Sequence, residues 1–307
     1  EKDLDLSQLT TSWFGIGLGA VLGRLLPLRT AIAFAYGLAD RLVKRLEAPD
    51  VRAVRFNHQI LEAGQLSPHE LDERVRVVFR NSARGVAEVL HFQSRPQAML
   101  RQVVVNEAIQ KYIFGSQERK QRMVIACPHT GNFDLAGRAL GLLGLQALIL
   151  AEPTPRADYN YQNRLRRRTG LNIQPISIES LRTAAQVLEA GGSVLTGVDW
   201  PVGEARFRPR FLGIPSLLTT AHVRLAVKSD APVVVVACHR TPDGKYAIKA
   251  SEPIVMEPGK SVNDTILSNT ENILSVAAQY IREEPEQWLL YYPVWEKDTA
   301  LNLAGRL

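Results

Sequence analysis

One stretch of sequence decides the fold, and it reads Met123-Val124-Ile125-Ala126-Cys127-Pro128-His129-Thr130-Gly131-Asn132-Phe133-Asp134. Its first five residues are all apolar, which predicts a strand that is buried on both faces. Pro128 ends this strand, and Asn132 or Thr130 is placed to cap a following helix. The stretch therefore predicts a strand, a turn and a helix, with His129 in the turn.

The same alternation continues towards the C-terminus. Strands are predicted at 123–127, 147–151, 172–176, 193–198, 207–212, 232–238 and 246–250. Helical patterns lie between most of these strands, at 132–144, 158–169, 178–190 and 216–229. A helix near 263–284 and an aromatic strand from Trp288 to Trp295 close the chain. This order predicts an α/β fold, in which helices flank a central, mostly parallel sheet and site residues lie at strand ends.

The first 98 residues predict a helical part without strands. A helix begins at Pro68 with Ser67 as its cap, and two earlier helices are predicted near 11–25 and 28–46, the first capped by Thr11 or Ser12. The uncharged run 13–23 is too short to span a bilayer, which takes about 20 residues. Its apolar side chains, followed by basic ones, suit insertion at the headgroup boundary. The alternative is a helical hairpin packed on the protein's own core.

Composition limits the functional classes. The chain has 307 residues, 46% of them hydrophobic, so a large core can form. Cys127 and Cys238 lie in apolar runs and predict buried, inert thiols; no metal-ligand spacing is present, and we expect no metal. The net charge of +6 suits an anionic partner, such as a phosphorylated ligand or a cytoplasmic leaflet, and does not indicate nucleic acid.

His129 and Asp134 are the candidate catalytic pair. On one continuous helix their spacing of five would place them on different faces. With His129 in the turn and Asp134 in the first helical turn, the carboxylate reaches back to fix the imidazole tautomer and leaves a base. Gly131 allows a tight turn with room for a substrate carbonyl, the helix start offers N–H groups to an oxyanion, and we expect Gly131 and Asn132 to contact substrate. The alternative is a histidine that only caps or packs at the turn.

The segment from His129 to Asp134 resembles the His-x4-acid motif of the lysophospholipid acyltransferase superfamily. The branch it resembles holds bacterial lipid A late acyltransferases and phosphatidylinositol mannoside acyltransferases. Further segments match in type and order, namely 80–88, 163–170, 181–192, 193–203, 211–213, 219–228, 231–234 and 285–288. Two departures concern the acceptor rather than the reaction class. Lipid A enzymes often have Glu where Asp134 stands, and glycerolipid enzymes usually have a Pro-Glu-Gly turn where this chain has residues 199–203.

The resemblance implies a single acyltransferase domain over 1–307, with a helical, membrane-associating part at 1–98 and an α/β catalytic part at 99–307. It implies an O-acyltransferase that uses acyl-CoA or acyl carrier protein as donor and a membrane glycolipid or phospholipid as acceptor, without cofactor or metal. His129 would be the general base and Asp134 its orienting partner. The enzyme would be peripheral or monotopic at the cytoplasmic face of the bacterial inner membrane. The alternatives are a lipid or thioester hydrolase and a noncatalytic lipid-binding protein; a serine hydrolase is disfavoured because no GxSxG segment is present.

Arginines and one aspartate complete the candidate site. Arg164 and Arg168 share a helix face and are predicted to hold a phosphate of the acceptor or of coenzyme A, with a solvated basic face as the alternative. Arg206 and Arg208 share one face of an extended segment, which predicts phosphate or headgroup contact. Asp199 follows a buried strand, where loops carry the sites of open α/β sheets.

Overall fold

The structure is a computed structural model that describes residues 19, 21, 23–153, 157–202 and 207–296, without the side chains of residues 157 and 158. Its α-helices in the described residues are α1 Leu28–Leu42, α2 Pro49–Leu61, α3 Pro68–Phe92, α4 Pro96–Leu100, α5 Gly115–Glu118, α6 Phe133–Leu142, α7 Ala157–Arg167, α8 Ile178–Glu189, α9 Ala221–Ser229 and α10 Val262–Glu283. A π-helical turn at Ile109–Phe114 precedes α5, and a 3-10 turn at Pro285–Gln287 follows α10.

A central sheet of seven strands forms the middle layer, in the order β1-β9-β8-β2-β5-β3-β4. Its strands are β1 Val103–Val105, β2 Met123–Cys127, β3 Ala147–Ala151, β4 Asn172–Pro175, β5 Ser193–Gly197, β8 Val233–Arg240 and β9 Tyr246–Ala250. Every neighbouring pair for which a register is defined is parallel except β8–β9. The predicted α/β class with a mostly parallel sheet is therefore confirmed.

Helices cover both faces of the sheet, which explains why the strands are continuous apolar runs. In β2, Val124 and Ala126 pack into a core with α8, α9 and α10 on one side. Met123 and Ile125 pack into a second core on the other side, with α6 and the π-helical turn. Side chains alternate along a strand, so each face contributes every second residue. The site-bearing turn after β2 is thereby fixed between two close-packed layers.

The N-terminal helices α1 and α2 pack on α3, and α3 packs on α6. Helix α3 begins with a capping box, in which Ser67 and Glu70 satisfy each other's free backbone N–H groups, as its sequence predicts. Helices α1 and α3 are joined by Asp40, which accepts hydrogen bonds from Arg80 at 2.6 and 2.8 Å. Residues 49–61, 68–92 and 96–100 are helical, as predicted for this part of the chain, whereas the predicted cap at Thr11 or Ser12 lies outside the described residues. No helix in the described ranges is long and apolar enough to cross a membrane.

Three predicted elements differ from the structure. The segment Trp288–Trp295 is not a strand; Trp288 forms one isolated bridge with Thr130, because this segment packs its indoles into the core. The helix predicted at 216–229 begins only at Ala221, since the backbone of Leu217 is hydrogen-bonded to Val202 and Val294, and Leu218 bridges to Pro201. The strand predicted at 207–212 is shortened to β6 Arg210–Phe211, which pairs with β7 Ile214–Pro215 outside the central sheet. The division of the chain into parts at residue 98 stays a prediction.

Candidate active site

His129 lies just beyond the C-terminal end of β2. The neighbouring strand is β5, and their parallel register places Cys127 opposite Gly197. His129 and Asp199 each follow two residues after these partners, so the two side chains lie next to each other where the chain leaves the sheet. The site is thus at the carboxyl ends of parallel strands, as expected for an open α/β sheet.

The Asp199 carboxylate binds the turn through both oxygens. Its Oδ1 is 2.6 Å from His129 Nδ1, and its Oδ2 accepts hydrogen bonds from the His129 backbone N–H at 2.9 Å and from Trp288 Nε1 at 2.8 Å. The Asp199 side chain is 1% exposed, whereas the imidazole is 23% exposed. The carboxylate is therefore rigidly held, and it fixes the ring so that Nε2 remains for substrate.

The expected hydrogen bond from Asp134 to the imidazole is not formed. Asp134 stands in the first turn of α6, as predicted, but its Oδ1 accepts from Arg166 Nε at 2.5 Å. Arg166 is held in turn by Asn163, whose Oδ1 accepts from Nη1 at 2.8 Å. Sequence proximity suggested Asp134 as the histidine partner, but the adjacency of β2 and β5 gives that position to Asp199. Asp134 remains in the cavity wall beside His129, where it acts through charge.

The electrostatics of the pair favour a charged imidazole and an ionised carboxylate. Burial alone would lower the pKa of His129, but the Asp199 charge and hydrogen bond outweigh it, and the pKa is raised above its usual value of 6.5. Burial would raise the pKa of Asp199, yet the attraction of His129 and the hydrogen bonds to the carboxylate lower it. The imidazole is consequently well suited to accept a proton and hold it.

Gly131 is required by the backbone. It has φ +57°, and a Cβ at this position would lie 2.4 Å from the carbonyl oxygen of Cys238 on β8. The predicted tight turn is confirmed, but the space beside Gly131 is filled by β8 rather than left for a substrate carbonyl. The N–H groups of the turn are also engaged: Thr130 donates to Pro128, and Gly131 donates to Gln287 at 2.8 Å. The amides of Thr130 and Gly131 are therefore not available to an oxyanion, whereas the supply of N–H groups by the start of α6 stays a prediction.

Asn132 caps α6, as one of the two predicted alternatives. Its Oδ1 accepts from Leu135 N at 3.1 Å, while its Nδ2 donates to Glu88 Oε2 at 3.1 Å. Glu88 is buried on α3 and also accepts from Arg84 and Tyr246. Asn132 is 4% exposed, so the structure gives it a role in positioning the helix rather than a surface for substrate contact.

A cavity of about 130 Å³ extends from the histidine into the second core. Its polar wall includes His129, Asp134, Arg138 and Arg166. The rest of the wall is largely aliphatic, with Ile109, Ile113, Ile125, Leu140, Leu145, Ile149, Leu171, Leu195, Val236 and Ile248 among its members. An apolar pocket with a few convergent polar groups at one end suits a ligand with a hydrocarbon tail and a reactive polar head.

Arg164, Arg168 and Arg208 do not line this cavity. Arg164 and Arg168 are exposed, and the Arg164 guanidinium stacks over the Tyr161 ring at 5.5 Å. Arg208 forms an exposed ion pair with Glu296 at 2.8 Å. Arg206 lies outside the described residues. The phosphate contacts assigned to these four arginines stay predictions.

The thiol of Cys238 is buried, as predicted, whereas Cys127 is only partly buried and lines the cavity, and neither side chain offers a ready thiolate. Burial and the Asp199 charge raise the pKa of Cys127 to about 12, and burial raises that of Cys238 still further. Within the described ranges, no three His, Cys, Asp or Glu side chains are grouped so that they could hold a metal ion. The chemistry that the site offers is therefore that of an imidazole base backed by a carboxylate.

Taken together, the sheet, the His129–Asp199 pair at its carboxyl edge and the apolar cavity define a class: α/β proteins in which a positioned base faces a hydrocarbon-binding pocket. The sequence model of one family, described as bacterial lipid A biosynthesis acyltransferase, matches residues 1–297. The chain belongs to this family, and the resemblance inferred from its motifs is confirmed. It is accordingly an O-acyltransferase of lipid biosynthesis, which transfers an acyl group to a lipid acceptor. No curated protein matches the chain significantly.

Three site residues escaped the sequence analysis. Trp288 anchors Asp199, but an indole near the C-terminus looks like any core residue. Arg166 does not share a helix face with Arg164 and Arg168; it lies on the inward face of α7 with Asn163, and Thr169, two residues past the end of α7, is buried as well. Polar residues at spacing three on a helix that also buries Leu165 were the available indication of an inward polar group. Arg138, one turn after Asp134, could have been found by the same spacing argument.

Proposed function

We propose that the chain transfers a fatty acyl group from a thioester donor to a hydroxyl of a membrane glycolipid or phospholipid, with His129 as general base. The observation that carries this proposal is the hydrogen bond of 2.6 Å between His129 Nδ1 and Asp199 Oδ1 beside the apolar cavity. It fixes the tautomer in which Nε2 carries the lone pair. A general base of this kind contributes about 10²–10⁴-fold in rate.

The proposed reaction is a direct transfer with both substrates bound. His129 Nε2 removes the proton from the acceptor hydroxyl while the hydroxyl oxygen bonds to the thioester carbonyl carbon. When the tetrahedral intermediate collapses, the carbon–sulfur bond breaks, and the imidazolium gives its proton to the leaving sulfur. The products are an ester and a free thiol, so protons and electrons balance without a cofactor. Asp199 stabilises the imidazolium through its charge.

Arg166 is the group we assign to the developing oxyanion. The turn amides of Thr130 and Gly131 are engaged, whereas Arg166 lines the cavity close enough to His129 to act on its pKa. Asp134 holds the guanidinium by its Nε, which fixes the orientation of the remaining N–H groups. Donors that are fixed before the reaction stabilise an oxyanion without reorganisation. Asp134 is then a positioning residue for Arg166 rather than for His129.

The aliphatic part of the cavity is the proposed site for the acyl chain. Each buried methylene contributes about 0.8 kcal/mol, so a close-fitting apolar pocket binds a chain strongly and discriminates its length. The donor is acyl-CoA or acyl carrier protein; a transfer assay with each donor and the same chain separates the two. A hydrolase is the alternative class. It releases free fatty acid at the same rate with and without acceptor, whereas a transferase forms ester only when acceptor is present.

We further propose that the enzyme works as a peripheral or monotopic protein on the cytoplasmic face of the inner membrane. Leu25 and Phe34 in the N-terminal helices are 73% and 68% exposed, and Arg24 and Arg29 beside them are exposed as well. Exposed apolar side chains with basic neighbours favour anionic bilayers.

Vesicle sedimentation tests the membrane proposal. Phe34→Glu should reduce binding to anionic lipid vesicles, because a carboxylate replaces an inserted ring. Val262→Glu is the matched control, since Val262 is 72% exposed on α10, outside the helical part. Equal binding of both variants and the parent would contradict the assignment of this surface.

Lipid profiles of cells test the overall function. Cells that lack the protein should accumulate an under-acylated lipid whose mass differs from the mature lipid by one acyl group. Expression of the parent should restore the mature species, and expression of His129→Ala at the same level should not. Restoration by the variant would contradict the proposed role of the histidine.

A further inference from the structure

Arg138 is a buried guanidinium without a full set of partners. It lies on α6 in the wall of the cavity and is 2% exposed. Its Nε has no hydrogen-bond partner, and Nη1 makes one long contact of 3.4 Å with the carbonyl oxygen of Val89. Buried guanidinium groups are normally paired with a carboxylate or with several acceptors. An arginine in this position therefore lacks an oxygen that something must supply.

The charges around Arg138 do not supply it. Asp134 lies one turn earlier on α6, but its carboxylate is bound by Arg166 at 2.5 Å. Burial lowers the pKa of Arg138, and the neighbouring Arg166 and Arg168 lower it as well, whereas Asp134 raises it. The described surroundings thus place three guanidinium groups against one carboxylate. The side chain remains charged, because even a depressed guanidinium pKa stays far above neutrality.

An acyl chain bound in this cavity would place hydrocarbon beside the unpaired Arg138 guanidinium, unless the chain itself carries an oxygen. A saturated chain would leave the charged donor Nε of Arg138 without a partner and surrounded by hydrocarbon, which is unfavourable. A chain that carries a hydroxyl offers an oxygen to the same donor. Sites built to bind a substrate hydroxyl reject analogues that lack it, because the buried polar group is then left unpaired.

We propose that Arg138 is a specificity-determining residue that selects an oxygen-substituted acyl chain, a hydroxyacyl donor, over the saturated chain of equal length. This inference rests on the proposed function, since it assigns the cavity to the acyl group. The substituted carbon lies beyond the carbonyl end of the chain, because Arg138 is about 6 Å further along α6 than Asp134.

Equilibrium binding tests the selection without the need for turnover. The protein carries His129→Ala, so that bound donors are not consumed. The probes are dodecanoyl-CoA and the 3-hydroxy, 6-hydroxy and 12-hydroxy derivatives, because comparison at one chain length cancels the contribution of coenzyme A. We expect at least one hydroxy derivative to bind about ten-fold more tightly than dodecanoyl-CoA, as for a hydrogen bond to a charged group. The position that gains most locates Arg138 along the chain.

Three variants in the same background isolate the guanidinium. Arg138→Met keeps an unbranched stem without the charge, and it should bring the affinities for hydroxylated and saturated donors to within about two-fold. Arg138→Lys keeps a donor and should retain part of the preference. Leu140→Met alters the same cavity wall without a polar group, so it should shift all affinities together and leave their ratio unchanged.

The thermal stability of the ligand-free protein distinguishes a role of Arg138 in ligand binding from a role in stabilising the fold. Removal of an unpaired buried charge should leave Tm unchanged or raise it, so Arg138→Met should fold at least as stably as its parent. A clear fall in Tm, or equal affinity for all four donors before the substitution, would overturn the proposal. If the protein binds hydroxylated donors more tightly but the enzyme without substitutions transfers none of these chains, the proposed acyl transfer is refuted, while the selective binding at Arg138 is retained.

Discussion

The sharpest perturbation is Asp199→Asn, because it changes which nitrogen of His129 carries the proton. Asp199 Oδ2 accepts from the His129 backbone and from Trp288, and an asparagine oxygen can take over both roles. The asparagine NH2 then faces Nδ1, where Oδ1 stood at 2.6 Å. An NH2 group can only donate, so Nδ1 must become the acceptor and Nε2 must carry the proton. The fold is preserved while the base is lost.

The size of the effect follows from the roles of this contact. The wrong tautomer and the loss of charge stabilisation in the imidazolium should lower kcat by about 10³–10⁴-fold, or roughly 4–5.5 kcal/mol in the barrier, as in other histidine–carboxylate pairs. The Michaelis constants should change little, because the carboxylate does not line the cavity. The assay is transfer of a labelled acyl group to lipid acceptor under saturating conditions, with the parent and the variant at matched folded concentration.

Asp134→Asn is the comparison that decides between the two carboxylates. It breaks the ion pair with Arg166 but leaves the contact between Asp199 and His129 Nδ1 intact. The acid limb of its pH–rate profile should therefore keep an apparent pKa above the usual histidine value. In Asp199→Asn that limb should move below 6.5, since burial then acts without the opposing carboxylate. If Asp134→Asn shifts the limb and Asp199→Asn does not, the assignment of the partner is refuted.

Three further outcomes are expected. Arg166→Met should lower the free energy of unfolding by up to about 3 kcal/mol, because it leaves the Asp134 carboxylate, which is only 11% exposed, without its partner. The added change Asp134→Leu should recover much of this loss in urea titrations, and a larger loss in the double variant would contradict the explanation. Gly131→Ala should destabilise more than Gly213→Ala, because both have positive φ but only the first Cβ meets backbone, and equal losses would count against the close approach. The stability lost in Asp199→Asn should be larger at pH 6 than at pH 9. Because the contact raises the pKa of His129, it stabilises the fold fully below about pH 6.5 and no longer does so above the folded-state pKa of His129; because it lowers the pKa of Asp199, it stabilises the fold only above about pH 4. Losses that do not depend on pH would contradict this coupling.

The strands that carry the site could be predicted because their position in the middle of the fold leaves a mark in their own local sequence. Residues 123–127, 147–151 and 246–250 are strands with the predicted bounds. A strand buried on both faces must be apolar throughout, so composition alone marks it. The turn at His129 is marked by Pro128 before it and by the cap Asn132 after it, and both signals are local.

The partner of His129 could not be read from the sequence in the same way. Asp134 is five residues away and Asp199 is 70, yet the near residue turns away and the far one makes the contact. The decisive fact is that β2 lies beside β5, and strand order is a property of the whole sheet. Asp199 could be nominated as a strand-end residue, but its pairing required the topology.

In the aromatic C-terminal segment, the local sequence predicts a strand that the structure does not form. Trp288 to Trp295 has the composition of a strand, but β propensity measures fit to a half-buried surface rather than a backbone preference. Here Trp288 and Trp295 are each 1% exposed and pack into the core, while the backbone of Leu289 donates to the His129 carbonyl. The segment thus holds the His129 turn in place without joining the central sheet.

The central claim is that His129 activates a lipid hydroxyl for acylation, and transfer by purified protein tests it most directly. The acceptor is a lipid extract from cells that lack the protein, the donor carries an isotopically labelled acyl chain, and the products are measured by mass spectrometry. The parent should add one labelled acyl group to one lipid species, and His129→Ala should do so at least about 10²-fold more slowly while it retains donor affinity and thermal stability. Labelled ester formed by the variant at the parent's rate would contradict the account.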